Sequence, residues 1–152
     1  MTLTPSKRLR VLIVDDSAVQ RQALTCLLAR DPELEIAGWA ANGAEALRAI
    51  AQLQPDVVTL DEHMPVIDGL ETARRIMHEA PTPIVMITGD SELNRRTLHD
   101  AASAVGVLAV QSKQALLSNE PSAAAELVRV VKGMAAVRLV RRRREPTLAV
   151  TA

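Results

Sequence analysis

Phenylalanine and tyrosine are absent from the 152 residues, and Trp39 is the single aromatic side chain. Modules that bind nucleic acid by stacking its bases need aromatic platforms, so that class is excluded. There is one cysteine, Cys26, which allows neither an internal disulfide nor a cysteine-rich zinc site. No apolar run approaches the ~20 residues of a membrane span. The basic N-terminus (Lys7, Arg8, Arg10) leads into the short apolar run Val11–Val14, which ends at Asp15-Asp16. A signal peptide needs a longer apolar region, so the expected location is cytoplasmic. Net charge is missing too, since 18 Lys and Arg balance 18 Asp and Glu. That balance hides a split: residues 1–113 carry 11 basic and 15 acidic groups, net −4, and residues 114–152 carry 7 and 3, net +4. The C-terminal segment is thereby set apart, without a partner being named.

What is present is aliphatic. Hydrophobic residues make up 48% and charged ones 24%, so Leu, Ile, Val, Ala and Met must build the core. The length suits one domain, which at this size buries roughly two-thirds of its unfolded surface. Strand and helix signals alternate. Val11–Val14, Leu34–Ala40, Asp56–Leu60, Ile84–Ile87 and Val107–Val110 are short apolar runs, as expected of strands covered on both faces. Between them lie helical patterns. Asp16 and Ser17 can cap the first, with Val19, Ala23, Cys26, Leu27 and Arg30 at helical spacing. Ala44 to Leu53, Leu70 to Glu79, and Ser91 to Ser103 follow, and a long last helix begins near Pro121. The pattern predicts an α/β fold with a doubly wound, five-stranded parallel sheet.

In such sheets ligands gather at the carboxyl ends of the strands. Asp15 and Asp16 follow the first strand, Asp61 the third, Thr88 the fourth, and Lys113 comes shortly after the fifth. Carboxylates this close repel unless a cation intervenes, and Mg2+ prefers a few carboxylates together with phosphate oxygens. The set therefore reads as a magnesium site awaiting a phosphoryl group. Phosphoryl transfer asks for positioning and charge neutralisation. Asp61 stands where a nucleophile should, and Thr88 and Lys113 can hold phosphoryl oxygens. The plainer alternative makes the acids caps and turn residues; for Asp16 alone, capping is an equal reading.

The segments VLIVDDSAVQRQAL, PDVVTLDEHMPVIDGLETARRI and PTPIVMITG resemble the receiver domain of bacterial two-component response regulators, most of all that of chemotaxis methylesterases. The resemblance covers about residues 9 to 113. It implies a flavodoxin-like receiver fold and phosphorylation of Asp61 by a sensor histidine kinase. It also implies Mg2+ held by Asp15, Asp16, Asp61 and the backbone carbonyl of His63, with Thr88 and Lys113 reading out the phosphoryl group. The output is binding to a downstream protein that the sequence does not identify. The chain departs from the family pattern in four places. Gln114 replaces the proline that usually follows the lysine, and Val110 replaces a switch aromatic. Thr97 to Gly106 is somewhat longer than the methylesterase pattern. A Gly-x-Ser-x-Gly elbow is missing, so no esterase activity is expected.

The expected organisation is a flexible N-terminus over 1–8, a receiver core over 9–120, a long last helix over 121–145 and a disordered tail over 146–152. Two other readings stay open: the regulatory receiver of a protein-glutamate methylesterase, or a degenerate receiver acting as a constitutive interaction module. His63 is read as an exposed loop residue lending its carbonyl, and His78 and His99 as solvated. Cys26 is read as packing, and Trp39 as a partly buried anchor. In the last helix Leu127, Val130, Met134 and Val137 make an apolar seam that could pair two copies of the chain. Arg141–Arg144 attract phosphate only nonspecifically, so no specific nucleic acid is expected. The expected output surface is the fourth helix, the fifth strand and the last helix.

Overall fold

The computed structural model describes residues 7–89, 92–113, 116, 120–137 and 139. In chain order the elements are β1 (Leu9–Val14), α1 (Ala18–Ala29), β2 (Leu34–Ala40), α2 (Gly43–Leu53), β3 (Val57–Asp61), α3 (Gly69–Glu79), β4 (Ile84–Thr88), α4 (Glu92–Ala104), β5 (Ala109–Ser112) and α5 (Pro121–Ala135). All ladders are parallel, in the order β2-β1-β3-β4-β5. This is the five-stranded doubly wound sheet that the alternating pattern predicts. None of the described helices is long and apolar enough to cross a membrane.

Side chains alternate across the strands and so build two cores. Leu12, Val14, Val58, Leu60, Ile84 and Met86 face Ala46, Ile50, Ala73, Ile76, Leu98 and Ala102 of α2, α3 and α4. Val11, Ile13, Val57, Val85 and Ile87 face Leu24 and Leu28 of α1 and Leu127 and Val131 of α5. β3 and β4 are buried along their whole length because helices cover both faces. Helix starts are set by short polar side chains accepting from the first turn: Ser17 from Gln20 N, Asn42 from Glu45 N and Asp68 from Glu71 N. Ser17, rather than Asp16, is thus the cap of α1.

Three local expectations change. On α1 the buried residues are Leu24 and Leu28, while Val19 and Cys26 are exposed. The helix carries apolar residues on more than one side, and contact with Val11 and Ile13 selects the face. Trp39 is 56% exposed, because β2 is an edge strand; its indole Nε1 donates to Thr25 Oγ1 at 2.8 Å. β5 starts two residues later than expected. Gly106 has φ +97°, and Val107 turns back to donate its N–H to Ala102 O, so it closes α4. The strand then runs on through polar Gln111 and Ser112, a sequence suited to an edge.

The last helix also differs from the expectation of 121–145. α5 stops at Ala135, where Ala136 caps it. By then its apolar stripe has crossed the sheet, with Leu127 and Val131 buried and Val128, Val130 and Met134 packed on the same core. Lys132 pairs with Asp31 and Glu33 at 3.1 and 2.9 Å, tying α5 to the α1–β2 turn. Val137 and Leu139 lie beside Pro55, Thr82 and Pro83, at the amino ends of the strands. Three of the four residues of the seam expected to pair two copies, Leu127, Val130 and Met134, therefore pack on the chain's own core. Arg141–Arg144, the 146–152 tail, Ser91 and Gln114 lie outside the described residues.

The loop after β3 holds one strained residue. Ile67 N donates to Pro65 O at 2.9 Å, closing a three-residue turn around Val66 at φ +71°. That turn is the rarer, strained kind, and a β-branched side chain tolerates it poorly. Val66 is fully exposed, so no packing compensates. Val66→Asn is expected to raise stability by about 1 kcal/mol, read as a higher urea midpoint with unchanged slope.

Candidate functional site

β1 and β3 are neighbours, and β2 lies on the far side of β1, so the strand order reverses beside β1. Asp15 leaves β1 there; its N–H continues the ladder to Ala40 O at 3.1 Å. Its carboxylate Oδ1 accepts from Ser17 N at 2.9 Å, and its carbonyl accepts from Arg21 Nη1 at 2.7 Å. Asp61 ends β3 opposite Ile87 of β4 and is 3% exposed. Lys113 follows β5, placed by its N–H donating to Thr88 O at 2.8 Å. Its Nζ lies 2.9 Å from Asp61 Oδ1, a largely buried ion pair.

Carboxylate oxygens of Asp15, Asp16 and Asp61 lie within 4.8 Å of one another. Asp15 and Asp61 are buried, and Asp16 is exposed. Burial pushes the Asp15 carboxyl up to about 6, and the neighbouring charges of Asp61 and Asp16 add to this; the Ser17 N–H and Lys113 oppose it. Asp61 Oδ1 is buried, and the Lys113 ammonium meets it at 2.9 Å. Three carboxylates with one ammonium among them leave hard oxygen donors in excess, which fits a hard divalent cation of the Mg2+ type.

The cost of burying this carboxyl is measurable. The folded Asp15 binds its proton more tightly than the unfolded chain does, so the folded state holds more protons between about pH 4 and pH 6. Stability without metal should therefore fall as pH rises through that window and level off above it. A shift of this size corresponds to about 3 kcal/mol at most. Asp15→Asn is expected to flatten the dependence and to stabilise the metal-free protein at pH 7.5. Urea titrations at pH 4, 6 and 7.5 with a chelator check this.

The structure thus brings together Asp15, Asp16, Asp61 and Lys113. Thr88 ends β4 and is buried, but its hydroxyl donates to Glu62 Oε2 at 2.5 Å. His63 lies on the loop leaving β3 with its imidazole exposed, and its Nε2 is 3.4 Å from the same Glu62 oxygen. His78 and His99 are exposed, as expected, and join no metal-ligand group among the described residues. Val110 packs against the α2–α4 core and leaves no ring to swing. Glu62, hydrogen-bonded to Thr88 at this edge, is a residue that sequence reasoning passes over. A second carboxylate directly after the strand-end Asp61 was the available signal.

The response regulator receiver domain family matches residues 11–120. The chain is 38% identical over 135 residues to a protein-glutamate methylesterase/protein-glutamine glutaminase of Syntrophus aciditrophicus, covering 88% of this chain and 39% of that protein. A counterpart from Anaeromyxobacter dehalogenans is 43% identical over 136 residues, covering 88% and 40%. The chain thus spans about two fifths of the length of these relatives. Among solved structures, the response regulator domain of Thermotoga maritima CheB superposes with a TM-score of 0.77 at 31% identity, over 88% of this chain and 100% of that one. A chain from the complex of the P1 domain of CheA3 with CheY6 of R. sphaeroides gives 0.71 at 28% identity, over 87% and 100%. Sheet order, acidic strand ends and sequence agree: this chain belongs to the response regulator receiver domain family of two-component signal transduction.

Proposed function

We propose that Asp61 is the phosphoacceptor and that phosphorylation switches a protein-binding surface on α4, β5 and α5. The observation carrying this reading is the place of Asp61: buried at the end of β3, 2.9 Å from Lys113 and within 4.8 Å of two further carboxylates. An Asp61 oxygen attacks phosphorus in a phosphohistidine of a sensor kinase. The P–N bond breaks, its electron pair returns to the imidazole, and an acyl phosphate forms on Asp61. Lys113, already paired with Asp61, follows the negative charge onto the phosphoryl oxygens. Thr88 donates its hydroxyl to another of them. Asp15, Asp16, Asp61 and the His63 backbone carbonyl would hold Mg2+, which supplies charge neutralisation for the transfer. Water later hydrolyses the acyl phosphate and resets the switch, the whole of the chemistry this reading gives the chain.

Receiver domains work with histidine kinases or phosphotransfer proteins, and the CheA3 P1–CheY6 complex is one such pairing. A cytoplasmic setting follows, since the kinase draws its phosphoryl group from ATP. A second reading, the regulatory receiver of a protein-glutamate methylesterase, is supported by the relatives that match over this part of their length. A constitutive interaction module without phosphorylation is the third. The test is incubation with Mg2+ and a small acyl phosphate, then mapping of the label by mass spectrometry. Label on Asp61 that a chelator abolishes supports the proposal. Label elsewhere overturns it, and no label at all overturns it and leaves the third reading.

A further inference from the structure

Thr88 and Asp61 end neighbouring strands, yet the Thr88 hydroxyl is turned to Glu62 Oε2, 2.5 Å away. The Glu62 side chain is only 16% exposed. Its backbone is held on both sides: the N–H donates to Ile87 O at 3.0 Å, and the carbonyl accepts from Gly69 N at 2.8 Å. A rigidly mounted, largely buried carboxylate therefore holds this hydroxyl. A hydroxyl has one hydrogen to give, and a carboxylate only accepts. A phosphoryl oxygen on Asp61 can take that hydrogen only by breaking a charge-assisted bond, the stronger kind. The Glu62 charge also repels the incoming phosphoryl group.

We propose that Glu62 is a positioning residue, a latch that keeps Thr88 in its unphosphorylated orientation and sets how readily the switch is thrown. The inference rests on Asp61 being the phosphoacceptor. A two-state switch is biased only by interactions that differ between its states, and the Glu62–Thr88 bond belongs to the resting one. Losing one such bond should favour the phosphorylated form about tenfold.

The test uses beryllium fluoride with Mg2+, a mimic of the acyl phosphate, on the full chain. Glu62→Ala should lower the half-saturating concentration about tenfold, and Glu62→Gln, which keeps shape and loses charge, by less. In a Thr88→Val background the Glu62→Ala effect should disappear. Without metal or mimic, NMR couplings should show one Thr88 χ1 rotamer in the wild type and a changed rotamer population in Glu62→Ala. Equal shifts with and without the Thr88 hydroxyl, or an unmoved rotamer, overturn the latch while wild-type saturation keeps Asp61 in place. A wild-type protein that takes up no beryllium fluoride overturns the phosphoacceptor reading, and the switch role of Glu62 with it.

Discussion

Asp61→Asn is expected to reduce acyl-phosphate labelling to background while the sheet stays intact. An amide is not a nucleophile at phosphorus, and no other carboxylate shares the position of Asp61. Asp15 accepts from Ser17 N and is held against β1, and Asp16 is exposed. The substitution is close to isosteric, so the two cores flanking β3 remain packed. The Lys113 charge keeps Asp15 and Asp16 as nearby counter-charges, which limits the damage to the fold. Labelling followed by intact-mass measurement, alongside a urea titration, separates a lost nucleophile from a lost fold. Full-yield labelling of Asp61→Asn would show that the acceptor lies elsewhere.

Gly69→Ala should be the most destabilising single methyl group in the site. A Cβ there would sit 2.4 Å from the Asp61 carbonyl oxygen and 2.7 Å from Glu62 Cα. Both obstacles are backbone, so no side-chain rotation relieves them. α3 would have to withdraw from the end of β3, stretching the 2.8 Å bond from Gly69 N to Glu62 O. Overpacking of this kind costs about 3 kcal/mol, at the upper end of its usual range. The expected result is a lower urea midpoint and slower labelling, since Asp61 and the loop after it move together. Wild-type stability and labelling in Gly69→Ala would mean that α3 yields without disturbing the site.

Much of this was legible in the sequence. β-branched runs bounded by Pro and Gly mark strands whatever their neighbours do, and a parallel sheet puts the residues after those runs at one edge. That suffices to bring Asp15, Asp16, Asp61 and Lys113 into one group. The caps Ser17, Asn42 and Asp68 are local chemistry and equally readable.

Other features depend on contacts between residues distant in the chain. The buried face of α1 is chosen by β1, because the helix offers apolar residues on several sides and only the sheet decides which meet Val11 and Ile13. The end of α5 falls at Ala135, short of the expected 145, because its apolar stripe stabilises helix only while a sheet lies beneath it. Thr88 ends β4, as the strand pattern places it, but its hydroxyl could not be oriented from sequence. Glu62 lies 26 residues earlier, and only the β3–β4 ladder brings the two together. Composition, strand periodicity and turn residues determined the topology and the acidic edge, since each acts over a few residues. The buried face of α1, the length of α5 and the partner of Thr88 were decided by packing, which acts across the whole sheet.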